Sequence, residues 1–445
     1  MIIFGAGRAG PGWVASRALS GLLCGAFTLA LCALSAPCAL GGTGTAAAGG
    51  ATATSGATSA GGTTAGTARG LAGRLAERFG RAGLGSGAVG EVLDAASGSV
   101  LWSSGAGSGR MPASTAKLAT AVAALTVLGP DHTEPTVARY RAADRTLYLV
   151  GGGDPALDRP ALRALAADAA TALKARGQTQ VALRFDDSLF PAPTLSPGWL
   201  PGYYPDELAP VRALGLLGER SPDTARSAAE GFRALLAADG VSGSGPVRAA
   251  APPDAAQVAE HTSPPLWHTV EYMLKVSDNN VAEELLRLTA LARHRVADWQ
   301  DGTAEVRSVL DGYRVPLAGT ALFDASGLSR RDRMTPRALA AIAALLVRPG
   351  PERLLWPVFA GLPVAGRDGT LSAADHRFST RPSSCAVGRV RAKTGTLHDA
   401  SALVGLTGGA DGRRLAFAFL ENGPVRTASA RRGLDALAAT VEGCW

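Results

Sequence analysis

Three short motifs in this 445-residue chain combine residue types and spacing suited to nucleophilic catalysis. They are Ser114-Thr115-Ala116-Lys117, Ser277-Asp278-Asn279 and Lys393-Thr394-Gly395-Thr396. A serine hydroxyl is a poor nucleophile until a neighbour takes its proton. Ser114 and Lys117 lie three apart at the start of an expected helix and so share a face. Lys117 can take the proton if burial and a second cation, Lys393, pull its pKa down. The helix N-terminus offers partial positive charge and free N–H groups to an oxyanion at Ser114. Ser277 is suited to relay a proton to a leaving amine, and Asn279 to hold both Lys117 and a substrate carbonyl. An extended segment through Lys393, Thr394, Gly395 and Thr396 gives a peptide an edge to lie along. Lys393 and the two threonine hydroxyls suit a terminal carboxylate.

Each residue alone has a plainer reading. Ser114 reads as a helix cap, Ser277 as a turn residue, and Lys393 as a solvated charge. Their joint occurrence outweighs this, because the chain has only four lysines (Lys117, Lys174, Lys275, Lys393) and three asparagines (Asn279, Asn280, Asn422). Two of those lysines and one of those asparagines fall in the motifs. Chance would give all three motifs in this order about once in ten thousand such chains.

The elements that must position them follow from periodicity. Val89–Asp94 and Ser99–Ser103 read as short strands joined by a turn. Ala113–Leu128 reads as a helix stopped by Gly129-Pro130. Residues 136–257 change character, with strands at Thr146–Val150 and Val181–Phe185 and a helix at Ala225–Ala238. The glycine run Gly151-Gly152-Gly153 is a turn, since the Lys-Ser/Thr ending of a phosphate loop is missing. Helical spacing returns at Pro265–Lys275, Asn280–Leu291 and Thr335–Leu346. Three strands follow at Gly388–Thr394, Ala402–Thr407 and Arg414–Glu421, with a hairpin turn at Asp411-Gly412. A helix over Val425–Val441 closes the chain. The expected class is α+β: an antiparallel sheet built from both ends of the chain, residues 71–135 and 258–445, interrupted by an inserted accessory domain, 136–257.

Composition sets the frame. Hydrophobic residues make up 47% and charged residues 18%, so the chain is globular with room for two or more domains. No basic run or aromatic-interleaved patch accompanies the net charge of +7, which argues against nucleic acid. The first acidic residue is Glu77. Arg8 and Arg17, the uncharged stretch Gly21–Leu34 and the small residues Ser35, Ala36 and Ala39 have signal-peptide architecture, so residues 1–40 are expected to direct export. Ala18–Leu40 is charge-free and also long enough for an uncleaved anchor, the one expected route to a membrane. Residues 41–70 read as a flexible Gly/Thr/Ala-rich linker. Gly5–Gly10 matches G-x-G-x-x-G, but Pro11-Gly12 follows and no acid stands where a ribose would need it, so no dinucleotide cofactor is expected. Cys24, Cys32 and Cys38 fall in the export segment. That leaves Cys385 and Cys444, for which a disulfide is expected rather than two buried thiols. Six scattered histidines without H-E-x-x-H or C-x-x-C give no metal site.

From about residue 71 onward the chain resembles the D-alanyl-D-alanine carboxypeptidase/endopeptidase family of low-molecular-mass class C penicillin-binding proteins. Beyond the three motifs, the resemblance rests on Leu149–Leu157, Pro264–Arg287, Asp324–Arg330, Met334-Thr335-Pro336 and Leu362–Leu371. It implies a penicillin-binding/serine β-lactamase-like fold, with a five-stranded antiparallel sheet and flanking helices. It also implies Ser114 as acyl-enzyme nucleophile, Lys117 as proton acceptor, Ser277 as third active-site residue and Lys393 as a substrate-binding residue. The N–H groups of Ser114 and Thr396 would form the oxyanion hole. Peptidoglycan stem peptides would be substrates, and β-lactams covalent inhibitors. The family usually nests a second accessory domain inside the first. Here Ser277 follows Ser114 by only 163 positions, and the nested part is expected to be reduced near Leu214–Asp223. A class A β-lactamase shares the motifs, but this gap is far too long for it and a deacylating glutamate motif is missing between Ser277 and Lys393. An inactive wall-binding module would be expected to carry broken motifs. Labelling with a fluorescent penicillin separates the three readings: a long-lived adduct, rapid turnover, or no adduct.

Overall fold

The computed structural model describes residues 60–445. The export segment 1–40, with Gly5–Gly10 and its three cysteines, and the linker as far as residue 59 lie outside the described residues. Helix α1 (Ala60–Arg81) takes in the remainder of the stretch expected to be a flexible linker. Its C-terminal half explains this, because Leu71 and Leu75 are buried against the catalytic sheet. Such an apolar face sustains a helix that propensity alone would not.

The chain then runs through β1 (Val89–Asp94), β2 (Val100–Ser104), a 3₁₀ turn (Ala113–Ala116) and α2 (Lys117–Leu128). It leaves for a second layer through β3 (Pro135–Arg141), β4 (Thr146–Gly151), α3 (Arg159–Lys174), β5 (Gln180–Asp186), α4 (Tyr203–Asp206), α5 (Thr224–Ala238), β6 (Ser242–Gly243), β7 (Val247–Arg248) and β8 (Ala256–Thr262). It returns through α6 (Leu266–Val276), α7 (Asn279–Leu291), α8 (Trp299–Gly312), α9 (Pro336–Leu345) and α10 (Glu352–Gly361). Strands β9 (Arg391–Leu397), β10 (Ala400–Gly408) and β11 (Arg414–Asn422) and helix α11 (Thr427–Glu442) complete it.

The catalytic sheet has the order β2-β1-β11-β10-β9 and is antiparallel throughout. The α+β expectation holds, with the Lys393 strand at one edge. Alternate residues of β10 and β11 face opposite layers. Ala402, Val404, Ala416, Ala418 and Leu420 meet the core that contains α2, α6, α7 and α9. Leu403, Phe417 and Phe419 meet α1 and α11. With both faces covered, these strands read as continuous apolar runs. Helix α2 is apolar on all sides because it runs through the core, with Lys117–Leu125 buried.

The inserted layer carries a mixed sheet, β6-β5-β4-β3-β8. Strands β4 and β5 are parallel, and α3 makes the crossover between them. Leu147, Leu149, Leu183 and Phe185 pack on Leu162, Leu165 and Leu173 of α3 and on Phe232 and Leu236 of α5. Pro135 pairs with Thr262, so this sheet begins and ends slightly outside the expected 136–257. Between β5 and α5 the only named element is α4. That segment lays Phe190, Trp199, Leu208 and Val211 into the catalytic core.

Strands β3 and β8 and helices α3, α8 and α10 were not expected. Pro357 stands inside α10 and argues locally against a helix. In α8, Gly302 weakens the helical pattern. Its reason is tertiary: a Cβ there would sit 2.5 Å from Leu286 Cγ of α7.

A buried ion pair pins α11 to the segment entering β9. Asp435 accepts from Arg377 at 2.5 and 3.0 Å, and from the Phe378 N–H at 3.1 Å. Removing one partner of such a pair strands the other charge, at a cost of ~3–5 kcal/mol. The Cα atoms of Cys385 and Cys444 lie 6.2 Å apart in the same region, within disulfide range.

Candidate active site

Ser114 lies in the 3₁₀ turn that leads into α2, so the α-helix proper begins at Lys117, one turn later than the start expected at Ala113. The turn is clamped on three sides. Asn422 at the end of β11 accepts from the Met111 N–H at 2.6 Å and donates to the Met111 carbonyl at 3.2 Å. A Cβ on Gly395 would come 2.5 Å from the Pro112 carbonyl oxygen, and one on Gly327 would overlap that of Ala113. Both glycines therefore allow neighbouring segments to touch the nucleophile's turn. Gly395, expected as a substrate-binding residue, has this packing role in the structure. Ala113 itself sits at φ +47°, a left-handed conformation that costs a non-glycine residue ~1 kcal/mol or more. The strain lies immediately before Ser114.

Lys117 is fully buried. Its Nζ donates to Ser114 Oγ at 3.1 Å, to Asn279 Oδ1 at 2.7 Å and to the Ser326 carbonyl at 2.9 Å. All three ammonium protons are thus directed. Burial lowers its pKa to about 8, against the opposing pull of Glu283, Asp324, Asp278 and Glu207. Lys393 was expected to share in lowering it. The structure instead puts the repulsion on Lys393, whose pKa falls well below the usual value through burial and then through Lys117 and Arg377. The asymmetry has a simple cause: carboxylates face Lys117, whereas Lys393 faces cations.

Ser277 caps the C-terminus of α6 in a left-handed conformation, φ +65°. Its Oγ accepts from Lys393 Nζ at 2.9 Å, and Lys393 also donates to the Thr394 carbonyl at 3.0 Å. Asp278 then caps α7 by accepting from the Val281 N–H, which fixes Asn279 as the first residue of that helix. Asn279 Nδ2 donates to the Glu207 carbonyl at 2.9 Å, leaving one N–H for a substrate carbonyl.

The structure therefore joins Ser114, Lys117 and Asn279 in one hydrogen-bonded group, and Ser277 with Lys393 in a second. Thr394 and Thr396 lie two apart on edge strand β9 and share its other face. Thr394 Oγ1 lies 2.7 Å from Thr370 Oγ1, and Thr396 Oγ1 accepts from Arg431 at 3.3 Å.

Several supporting residues had no role assigned from the sequence, although they lie in the segments Pro264–Arg287 and Asp324–Arg330 that carry the resemblance. Glu283 accepts from the N–H groups of Ala325 and Ser326 at 2.8–3.2 Å, which aims the Ser326 carbonyl at Lys117. Asp324 accepts from Trp199 Nε1 and from the Gly327 and Ser329 N–H groups. Burial and the Asp324 charge push the Glu283 carboxyl well up. The helical period did place Glu283 one turn from Asn279, but nothing local shows that it turns inward. Chemically, the arrangement offers a partly exposed hydroxyl, a buried amine poised near neutral pH and a hydroxyl–lysine pair beside an open strand edge.

Comparison with known proteins addresses the family and the fold. The model of the D-Ala-D-Ala carboxypeptidase 3 (S13) family matches residues 71–216 and 208–442. The carboxypeptidase DacB of Mycolicibacterium smegmatis is 33% identical over 402 residues, 85% of each chain. The crystal structure of penicillin binding protein 4 from Haemophilus influenzae has a TM-score of 0.71 at 22% identity, covering 83% of this chain and 99% of that one. A second structure of that protein, complexed with a β-lactam, has a TM-score of 0.64 at 23% identity and covers 82% and 98%. With its family model spanning nearly all of the described residues, the chain belongs to the D-Ala-D-Ala carboxypeptidase 3 (S13) family.

Proposed function

We propose that the protein is a serine-type D-Ala-D-Ala carboxypeptidase/endopeptidase that acts on peptidoglycan stem peptides through an acyl-enzyme on Ser114. The observation that carries this is Lys117 Nζ, buried and bonded to Ser114 Oγ, with a pKa of about 8. Neutral Lys117 takes the Ser114 proton as Oγ attacks the carbonyl of the penultimate D-Ala, with the N–H groups of Ser114 and Thr396 holding the oxyanion. The Ser277 hydroxyl relays this proton from Lys117 to the departing amine as the C–N bond breaks, which returns Lys117 to its neutral form. Water then attacks the ester and releases the shortened peptide. A β-lactam follows the first half of this path and stays attached to Ser114. Incubation with defined muropeptides and mass spectrometry is expected to show loss of one D-Ala from pentapeptide stems. A penicillin is expected to add its full mass to a Ser114 peptide. Intact muropeptides and an unlabelled protein would overturn the reading.

The same reading includes export directed by residues 1–40 and a disulfide between Cys385 and Cys444. Among the described residues no helix is long and apolar enough to cross a membrane. The bridge would close a loop of 59 residues, worth roughly 4 kcal/mol in the chain-entropy model. Thiol counting on denatured, unreduced exported protein is expected to find neither cysteine free. Reduction is expected to lower the urea midpoint. Two free thiols, or an unchanged midpoint on reduction, would retire the bridge.

A further inference from the structure

Arg431 on α11 reaches the substrate-facing edge of the catalytic sheet from behind. Its Nη2 donates to Thr396 Oγ1 at 3.3 Å, and its Nε is buried with no hydrogen-bond partner. No carboxylate among the described residues forms an ion pair with it. Asp435, which faces it on the same helix, is taken by Arg377, and Asp375 by Ser372. Asp375 and Asp435 attract Arg431 without pairing with it directly, and a half-buried guanidinium held without a direct ion pair is costly to maintain. It stays charged in any environment a protein offers.

The proposed substrate brings one negative charge to this edge, its C-terminal carboxylate. Lys393 is poorly placed to answer it alone. Its Nζ is fully buried and is spent on Ser277 and the Thr394 carbonyl, on the strand face opposite the threonine side chains. Burial and neighbouring cations also press it towards neutrality. Arg431 lies on the Thr394/Thr396 face and keeps its charge. We propose that Arg431 is a specificity-determining residue, whose guanidinium pairs with the C-terminal carboxylate of the departing D-Ala beside the Thr396 hydroxyl. This rests on the carboxypeptidase reading and deepens it. The cation favours a leaving amine that carries a free carboxylate on its α-carbon over one that does not.

The test compares wild type, Arg431→Gln and Arg431→Lys on two substrates. One is an acyl-D-Ala-D-Ala peptide with a free carboxylate. The other is an acyl-D-Ala ester whose leaving alcohol carries no charge. Arg431→Gln is expected to lose about ten- to a hundredfold in kcat/KM on the peptide, mostly through KM, as loss of a charge-assisted hydrogen bond does. It should change the ester rate less than about threefold. Arg431→Lys should recover most of the peptide activity. Equal losses on both substrates would show that Arg431 only braces β9, and an unchanged peptide rate would show that it meets no carboxylate. Either result overturns the proposal while wild-type activity leaves the carboxypeptidase reading standing. A wild type inactive on both substrates would overturn both.

Discussion

Ser114→Ala is expected to abolish covalent labelling by penicillin and to lower D-Ala release by at least ~10⁴-fold, the scale on which loss of a nucleophile acts. The effect should be chemical and not structural. The Ser114 hydroxyl makes one side-chain contact, as acceptor from Lys117, and its removal should shift stability by no more than about 1 kcal/mol. Intact mass after penicillin treatment, beside a urea melt, reads both quantities. A persistent adduct in the variant would place the nucleophile elsewhere. Lost labelling with a collapsed melt would show that the hydroxyl holds the strained turn at Ala113 together.

Lys117→Met should slow acylation about 10²- to 10⁴-fold, the usual worth of a positioned general base, while Ser114 remains in place. The wild-type pH profile supplies the sign. Lys117 accepts a proton only when neutral, and its pKa lies at about 8. Acylation should therefore rise about tenfold per pH unit on approaching that value from below, then level off above it. The Lys117→Met variant should lose that limb. Stopped-flow acylation across about pH 6 to 9.5, a range that brackets this value, measures both. A flat wild-type profile, or an unaltered limb in the variant, would assign the base to another group.

The residues of both hydrogen-bonded groups stand in the sequence because each needs a particular side chain in a short local pattern. Ser114 and Lys117 share a turn, and Ser277 and Asn279 straddle a single helix junction. What surrounds them is written differently. The Ser326 carbonyl comes from a backbone group 209 positions from Lys117, and no residue type announces a carbonyl. Arg431 is one arginine among many until α11 packs on the sheet. The core strands were legible because both their faces are apolar. Helices α8 and α10 were not, since each carries a residue, Gly302 or Pro357, that local rules read as a breaker and packing overrides. Of the two causes expected for the Lys117 shift, burial holds and Lys393 does not, because the carboxylates behind the amine could not be seen in the sequence.

Strand β11 stands at the centre of the catalytic sheet, between β1 and β10, yet it is the last strand in the chain. During synthesis the β1–β2 hairpin must wait more than three hundred residues for its partner. The inserted sheet, closed between Pro135 and Thr262, can pair its strands long before that. Long-range pairing of this kind is slow and leaves strand edges uncovered in the interval. The order of assembly follows: accessory layer first, catalytic sheet last. Ser114 is thus made early, but Asn422, which clamps the turn before it, arrives at the end of β11. A chain cut just before Arg414 would carry every residue of the three motifs and still lack the strand that brings them into register. Full-length synthesis is in this sense a checkpoint on activity, set by the connectivity of the sheet.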